Sequence, residues 1–145
     1  MSNVADVGWA QNVNNAIGEE MRRLRGDRPL RWLEERTVEL GHRVSRSTLN
    51  DLENGKRAVV PITDVMVLAA ALEVPVGHLL YPPDGPLLVE ALPGVEVPRP
   101  DAVEALAGTT ADVEADRRKI EELMRVMDTA RESVQKLRDR FGDGG

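Results

Sequence analysis

The chain has no cysteine. Disulfides and thiolate metal sites are thereby excluded, and a reducing cytoplasm is the expected home. Aromatic residues are almost as scarce. Trp9, Trp32, Tyr81 and Phe141 make up 3% of the chain, too few for a large aromatic core or for a platform that stacks single-stranded bases. No apolar run approaches the roughly 20 residues of a membrane span. The stretch 1–10 lacks the basic start and apolar stretch of a secretory leader. Positive charge is not in excess either: 19 Lys and Arg stand against 25 Asp and Glu, a net charge of −6. Coating nucleic acid through bulk charge needs a cationic surface, so that class is excluded.

Catalytic and cofactor chemistry is also thin. His42 and His78 have no carboxylates spaced to complete a metal site, and both read as surface or capping residues. Ser45 and Ser47 have no partnered His and Asp, so a nucleophile would lack its base. Gly85, Gly94 and Gly108 are isolated and form no phosphate-binding loop. The pairs Glu19-Glu20, Glu34-Glu35 and Glu121-Glu122 are adjacent, lie on different azimuths of a helix and read as solvation. The chain is therefore expected not to be an enzyme and to carry neither metal nor cofactor.

What remains is a mainly helical chain in four parts: a flexible arm at 1–10, a head at 11–82, a connector at 83–109 and a tail helix at 110–141. In the head, Val13, Ile17, Met21 and Leu24 recur at helical spacing up to Gly26. A second helix starts near Pro29 and places Leu30, Leu33, Thr37 and Leu40 on one side before Gly41. Ser45 is a good N-cap for a third, which stops at Asn54-Gly55. A fourth, from about Thr63 to Leu72, is rich in Ala and aliphatics and is expected to be buried on most sides. A short fifth follows Pro75, carrying Val76, Leu79 and Leu80.

The third helix has the most informative pattern. Only Leu49 and Leu52 are apolar in it, so its buried face is narrow. Arg46, Asn50 and Asn54 follow at i, i+4 and i+8, with Ser47 and Asp51 in the adjacent row. Short polar side chains let a helix approach base edges in the major groove, and an Arg can make a bidentate contact to guanine. Arg43 precedes the helix and Lys56 and Arg57 follow it, in reach of phosphates. A merely solvated polar face is the alternative, and from composition the two stand level.

The string Val44-Ser45-Arg46-Ser47-Thr48-Leu49-Asn50-Asp51-Leu52-Glu53-Asn54-Gly55-Lys56-Arg57 closely resembles the recognition-helix segment of the Cro/repressor-like (XRE) helix-turn-helix family. The segment 17–25 resembles that family's first helix, 68–75 its fourth helix and turn, and 76–80 its fifth. The likeness covers about residues 13–82, and the overall texture is similar to actinobacterial and actinophage regulators. It implies a five-helix, lambda-repressor-like head that works as a dimer on a two-fold related operator. On the matching positions it implies base reading by Arg46, Ser47, Asn50 and Asp51; the expected phosphate contacts are Arg43, Lys56 and Arg57, with Thr48 either touching a phosphate or packing and Arg31 either touching a phosphate or lying on a solvated face. Asp51 either accepts from a cytosine or pairs with Arg46 or Ser47 and orients it. Two departures stand out. Glu34 occupies a place the family gives to a small residue where helices 2 and 3 cross, and the link 37–43 is about three residues longer than usual. A lengthened second helix, with Leu40 continuing its stripe, would absorb that insertion.

Six of the nine prolines cluster at 82, 83, 86, 93, 98 and 100, the first at the end of the head and the other five in the connector. Segments 87–92 and 95–97 flank Pro93-Gly94, a turn pair, and predict a short two-stranded ribbon. Such a ribbon needs something to pack on, either the head or a second chain. Residues 100–108 predict a turn or two of helix, and no ligand pocket is evident. In the tail, Val113, Ile120, Met127, Val134 and Phe141 repeat every seven residues, with Leu123, Ala130 and Leu137 between them. That is a coiled-coil heptad whose β-branched a positions and Leu d positions favour a parallel pair. The expected dimerisation residues are Ile120, Leu123, Met127, Ala130, Val134, Leu137 and Phe141, because Asp116 spoils the first d. Packing on the chain's own head or on a foreign protein remains open. The function expected is a sequence-specific duplex-DNA-binding transcriptional regulator, a dimeric repressor. The alternative is an antitoxin-like or protein-interaction adaptor whose tail grips a protein partner.

Overall fold

A computed structural model of the chain describes residues 4–108 and 110–142. It is mainly helical, with one two-stranded sheet and a long C-terminal helix: α1 Val4–Arg25, α2 Leu30–Glu39, α3 Arg46–Glu53, α4 Ile62–Ala71, α5 Val76–Leu80, β1 Leu88–Leu92, β2 Val95–Pro98, α6 Arg99–Ala107 and α7 Thr110–Gly142. The chain divides into two compact units, Met1–Ala107 and Gly108–Gly145.

In the first unit, α1 to α5 close around Met21, Leu33, Leu49, Leu68 and Leu79, none of which has exposed surface. Ile17, Val44, Leu52, Val65, Ala69, Ala71 and Leu72 complete this core. It is aliphatic, as the shortage of aromatics requires. Three helices end in the same way. Gly41, Gly55 and Glu73 each adopt positive φ just past the C-cap. The next residue's amide then reaches back to the helix: His42 to Thr37, Lys56 to Asp51 and Val74 to Ala69. These are Schellman endings, which satisfy carbonyls that would otherwise lack donors.

The structure departs from the sequence expectations at the amino-terminal arm, Leu40, α4 and the connector. The arm is helical from Val4 onward (residues 1–3 lie outside the described residues). Its first turns gain tertiary partners that sequence alone cannot supply: Trp9 Nε1 donates to the Glu90 carbonyl at 2.8 Å, and Asn14 donates to the carbonyls of Arg57 and Ala58. Leu40 does not extend the stripe of α2. It is the exposed C-cap, because Gly41 at φ +89 turns the chain away. In α4, Val65, Leu68, Ala69 and Ala71 are buried but Ile62 and Met66 are exposed, so one face remains open. Residues 83–107 are not a connector between units but part of the first one. Ala102 of α6 is buried, and Val103 packs on Gly77 of α5. The ribbon forms with Leu88 opposite Pro98 and Val89 opposite Val97, and is irregular near the Gly94 turn. Of the two supports open to it, it takes its own unit. Residue 109 lies outside the described residues.

In the second unit, α7 is one 33-residue helix, about 50 Å long at 1.5 Å per residue. Val113, Ile120, Leu123, Met127, Val134, Leu137 and Phe141 are all exposed along it, as is Ala130. Among the described residues no helix is long and apolar enough to cross a membrane.

Candidate nucleic-acid interface

The eight residues of α3 are too few to be stable alone, so the site depends on how its neighbours hold it. Its buried residues are Leu49 and Leu52. Ser45 caps it, with Oγ accepting from the Thr48 amide at 3.2 Å. At its C-terminal end α1 crosses with backbone nearly against backbone. A Cβ on Gly18 would lie 2.1 Å from the Leu52 carbonyl oxygen, so only glycine fits. Glu53, the last residue of α3, has a side chain only 2% exposed, and its two carboxylate oxygens accept from Arg25 Nε and Nη2, each at 2.9 Å. Arg22 adds a longer contact at 3.8 Å.

The N-terminal end is held by Glu34 of α2. Its carboxylate accepts from the Arg46 backbone amide at 2.8 Å and from Arg43 Nη2 at 3.2 Å, with Arg46 Nε 3.5 Å away. An anion at a helix N-terminus is favoured by the unpaired amides there. The Arg46 amide, foremost, and the Arg43 and Arg46 guanidiniums hold the Glu34 carboxyl below the usual carboxylate range, against the partial burial that raises it. Beneath it, Thr37 is fully buried. Its hydroxyl donates to the Glu34 carbonyl at 2.7 Å and accepts from the Val44 amide at 3.0 Å. The longer link between α2 and α3 is thus anchored on a threonine hydroxyl and a carboxylate.

On the outer face, Arg46, Ser47 and Asn50 are exposed together, and Asn54 Nδ2 donates to the Asn50 carbonyl at 2.7 Å. Asp51 is half-buried, and its carboxylate makes no hydrogen bond or ion pair among the described residues. The orienting pair with Arg46 or Ser47 is not formed. Arg46 lies five residues from Asp51, about 140° around the helix, and turns to Glu34 instead.

The expected phosphate residues separate into groups. Arg43 and Arg46 meet on Glu34 and remain well exposed. Lys56 is exposed just beyond α3. Thr48 and Arg57 are half-buried and bound to each other, Nη2 to Oγ1 at 2.7 Å, with Arg57 Nε buried and lacking an acceptor. Arg31 lies apart from these, paired with Glu35 at 2.9 Å.

Several contributors are not evident from the sequence pattern. Gln11 and Asn14 hold the carbonyls of Gly55, Arg57 and Ala58, which positions the loop carrying Lys56. Glu20 is buried rather than solvated, because it faces inward to Arg23 and lies 3.6 Å from His78. His78 is therefore half-buried, not a surface or capping residue. His42 is exposed and pairs with Asp64 at 2.8 Å. Among the described residues no group of three or more His, Cys, Asp or Glu is placed to hold a metal ion. No family model, no curated protein and no solved structure matches the chain.

Proposed function

We propose that the chain is a sequence-specific duplex-DNA-binding regulator of the Cro/repressor-like (XRE) kind, a repressor that places α3 in the major groove. The observation that carries this reading is the mounting of α3. A short helix with two buried leucines is pinned at one end by Glu34 and at the other by Glu53, and presents Arg46, Ser47 and Asn50 outward. Base reading needs that combination of a polar, low-profile face and a fixed orientation. The string 44–57 supports it independently through its family likeness. In this reading Arg46 reads a base, Ser47 and Asn50 assist, and Arg43 and Lys56 set the register on phosphates.

Two copies would be held together by α7, whose apolar stripe is exposed along its length. Charge favours the parallel arrangement. There, Lys119 faces Met124 of the partner copy, Val126 faces Arg131, and Ser133 faces Arg138, so these flanking pairs contain no like charges. An antiparallel pair centred on Met127 and Ala130 would set Arg117 against Arg138 and Lys119 against Arg140, each repulsive by a few tenths of a kcal/mol.

Selection of bound sequences from random duplexes tests the proposal. The expected result is a palindromic motif, with binding that weakens steeply as salt rises. Arg46→Ala should cost about 1–3 kcal/mol on that motif and much less on unrelated DNA. If no sequence is enriched, the DNA reading is wrong and the protein-interaction adaptor takes its place.

A further inference from the structure

α1 has two working faces. Gln11, Asn14, Asn15 and Gly18 lie on one azimuth, toward α3 and the loop after it. Trp9, Asn12, Val13 and Ala16 lie roughly opposite, at 100° per residue. That second face borders an open cavity of about 300 Å³ in the first unit. No local sequence pattern marks this cavity, because its walls come from segments far apart in the chain. Leu80 and Tyr81 close it from the end of α5, Leu88 and Val89 from β1, and Arg99 from the start of α6.

The lining chemistry is specific. The walls are mostly apolar, with the indole of Trp9 and the ring of Tyr81 among them. Arg99 is the cation. Its Nη1 donates to the carbonyls of Gly85 and Pro86, and its backbone amide donates to Leu87 at 2.8 Å. Its Nε and Nη2 have no protein acceptor among the described residues. Glu90, the other charged residue of the lining, turns one carboxylate oxygen to the Gly94 amide at 2.8 Å and makes no ion pair with Arg99 among the described residues. An immobilised guanidinium with two adjacent free donors matches a carboxylate bidentately. The volume is at the lower end for ligand sites, suited to a body of one or two rings.

We propose that this cavity binds a small aromatic carboxylate, with the ring against Trp9 and Leu88 and the carboxylate on Arg99 Nε and Nη2. This site is independent of the DNA reading and stands or falls without it.

The test titrates naphthalene-2-carboxylate into the full-length 15N-labelled protein and follows the indole N–H resonances, with Trp32→Phe used to assign that of Trp9. The expected result is a saturable shift of the Trp9 and Arg99 side-chain signals. 2-Naphthalenemethanol, which keeps the ring but not the charge, should bind about tenfold or more weakly, the loss expected for a hydrogen bond to a charged group. Ala16→Leu fills the cavity and should abolish the shift. Arg99→Lys keeps a cation but not the fork, and should weaken the acid without weakening the alcohol. No saturation at millimolar probe overturns the proposal. So does equal binding of acid and alcohol, or undiminished binding by a folded Ala16→Leu protein. Should Ala16→Leu fail to fold, Arg99→Lys decides, and unchanged acid affinity in it overturns the carboxylate assignment.

Discussion

Replacing Gly18 by alanine tests whether α3 is seated directly on the backbone of α1. A methyl at Gly18 would meet the Leu52 carbonyl oxygen at 2.1 Å, the Leu52 carbonyl carbon at 2.8 Å and Glu53 Cα at 3.3 Å. All three are backbone atoms, so no side-chain rotation relieves the clash. An ordinary carbon–oxygen contact is about 3.3 Å, so α3 must retreat by roughly 1 Å. Overpacking that side chains can absorb costs about 1–3 kcal/mol, and this case lacks that escape. Against it stands the helix preference of alanine over glycine, about 1 kcal/mol. The net expectation is a loss of about 2 kcal/mol or more, or roughly 8–16 °C in melting temperature for a unit of this size. Gly8 provides the control. It lies on the same helix, is exposed and has nothing within 4 Å of its would-be Cβ. Gly8→Ala should stabilise by about 0.5–1 kcal/mol. Scanning calorimetry of the two single variants measures both signs. A Gly18→Ala protein that melts at or above the parent would refute the close crossing.

Glu34→Gln removes a carboxylate held below its usual range, so that group stabilises the head above the ordinary glutamate pKa and the contribution fades as pH falls through the lowered value. Acid-unfolding curves of parent and variant should therefore diverge at neutral pH and converge in acid; curves that stay parallel refute the role. Glu73 adopts φ +59 without being glycine, and Glu73→Gly is expected to be neutral to about 1 kcal/mol stabilising by urea titration, a marked loss being the contrary result. If the proposed function holds, truncation after Gly108 should leave a folded first unit that sediments as a monomer and binds the selected duplex far more weakly; a truncated unit that remains dimeric would rule out α7 as the dimeriser.

Local signals were the legible ones. Ser45, Asn54-Gly55 and Pro93-Gly94 mark a cap, a helix end and a turn through chemistry confined to neighbouring residues, and all three appear in the structure. The narrow face of α3 was legible too, since periodicity reports burial directly. Long-range partners were not. Trp9 looks like part of a loose arm until Glu90 is beside it. Glu34 looks like an intruder in a helix crossing until the Arg46 amide is above it. One signal did exist. A carboxylate at a crossing of two helices needs donors, and Arg43 and the start of α3 were the nearest available. Glu20 and Glu34 also show the limit of reading adjacent acids as solvated, because 100° between neighbours is enough to turn one of them inward.

The bond from Trp9 to Glu90 joins positions 81 residues apart. During synthesis, the first turns of α1 cannot acquire that partner until the hairpin strand has left the ribosome. By then the chain already holds every residue of the aliphatic core from Ile17 to Leu79. The core and the amino-terminal turns of α1 should therefore consolidate in sequence, the turns last, and separate again in reverse order when the native unit opens locally. Amide exchange should be faster before Asn12 than after Ile17 within what is geometrically a single helix.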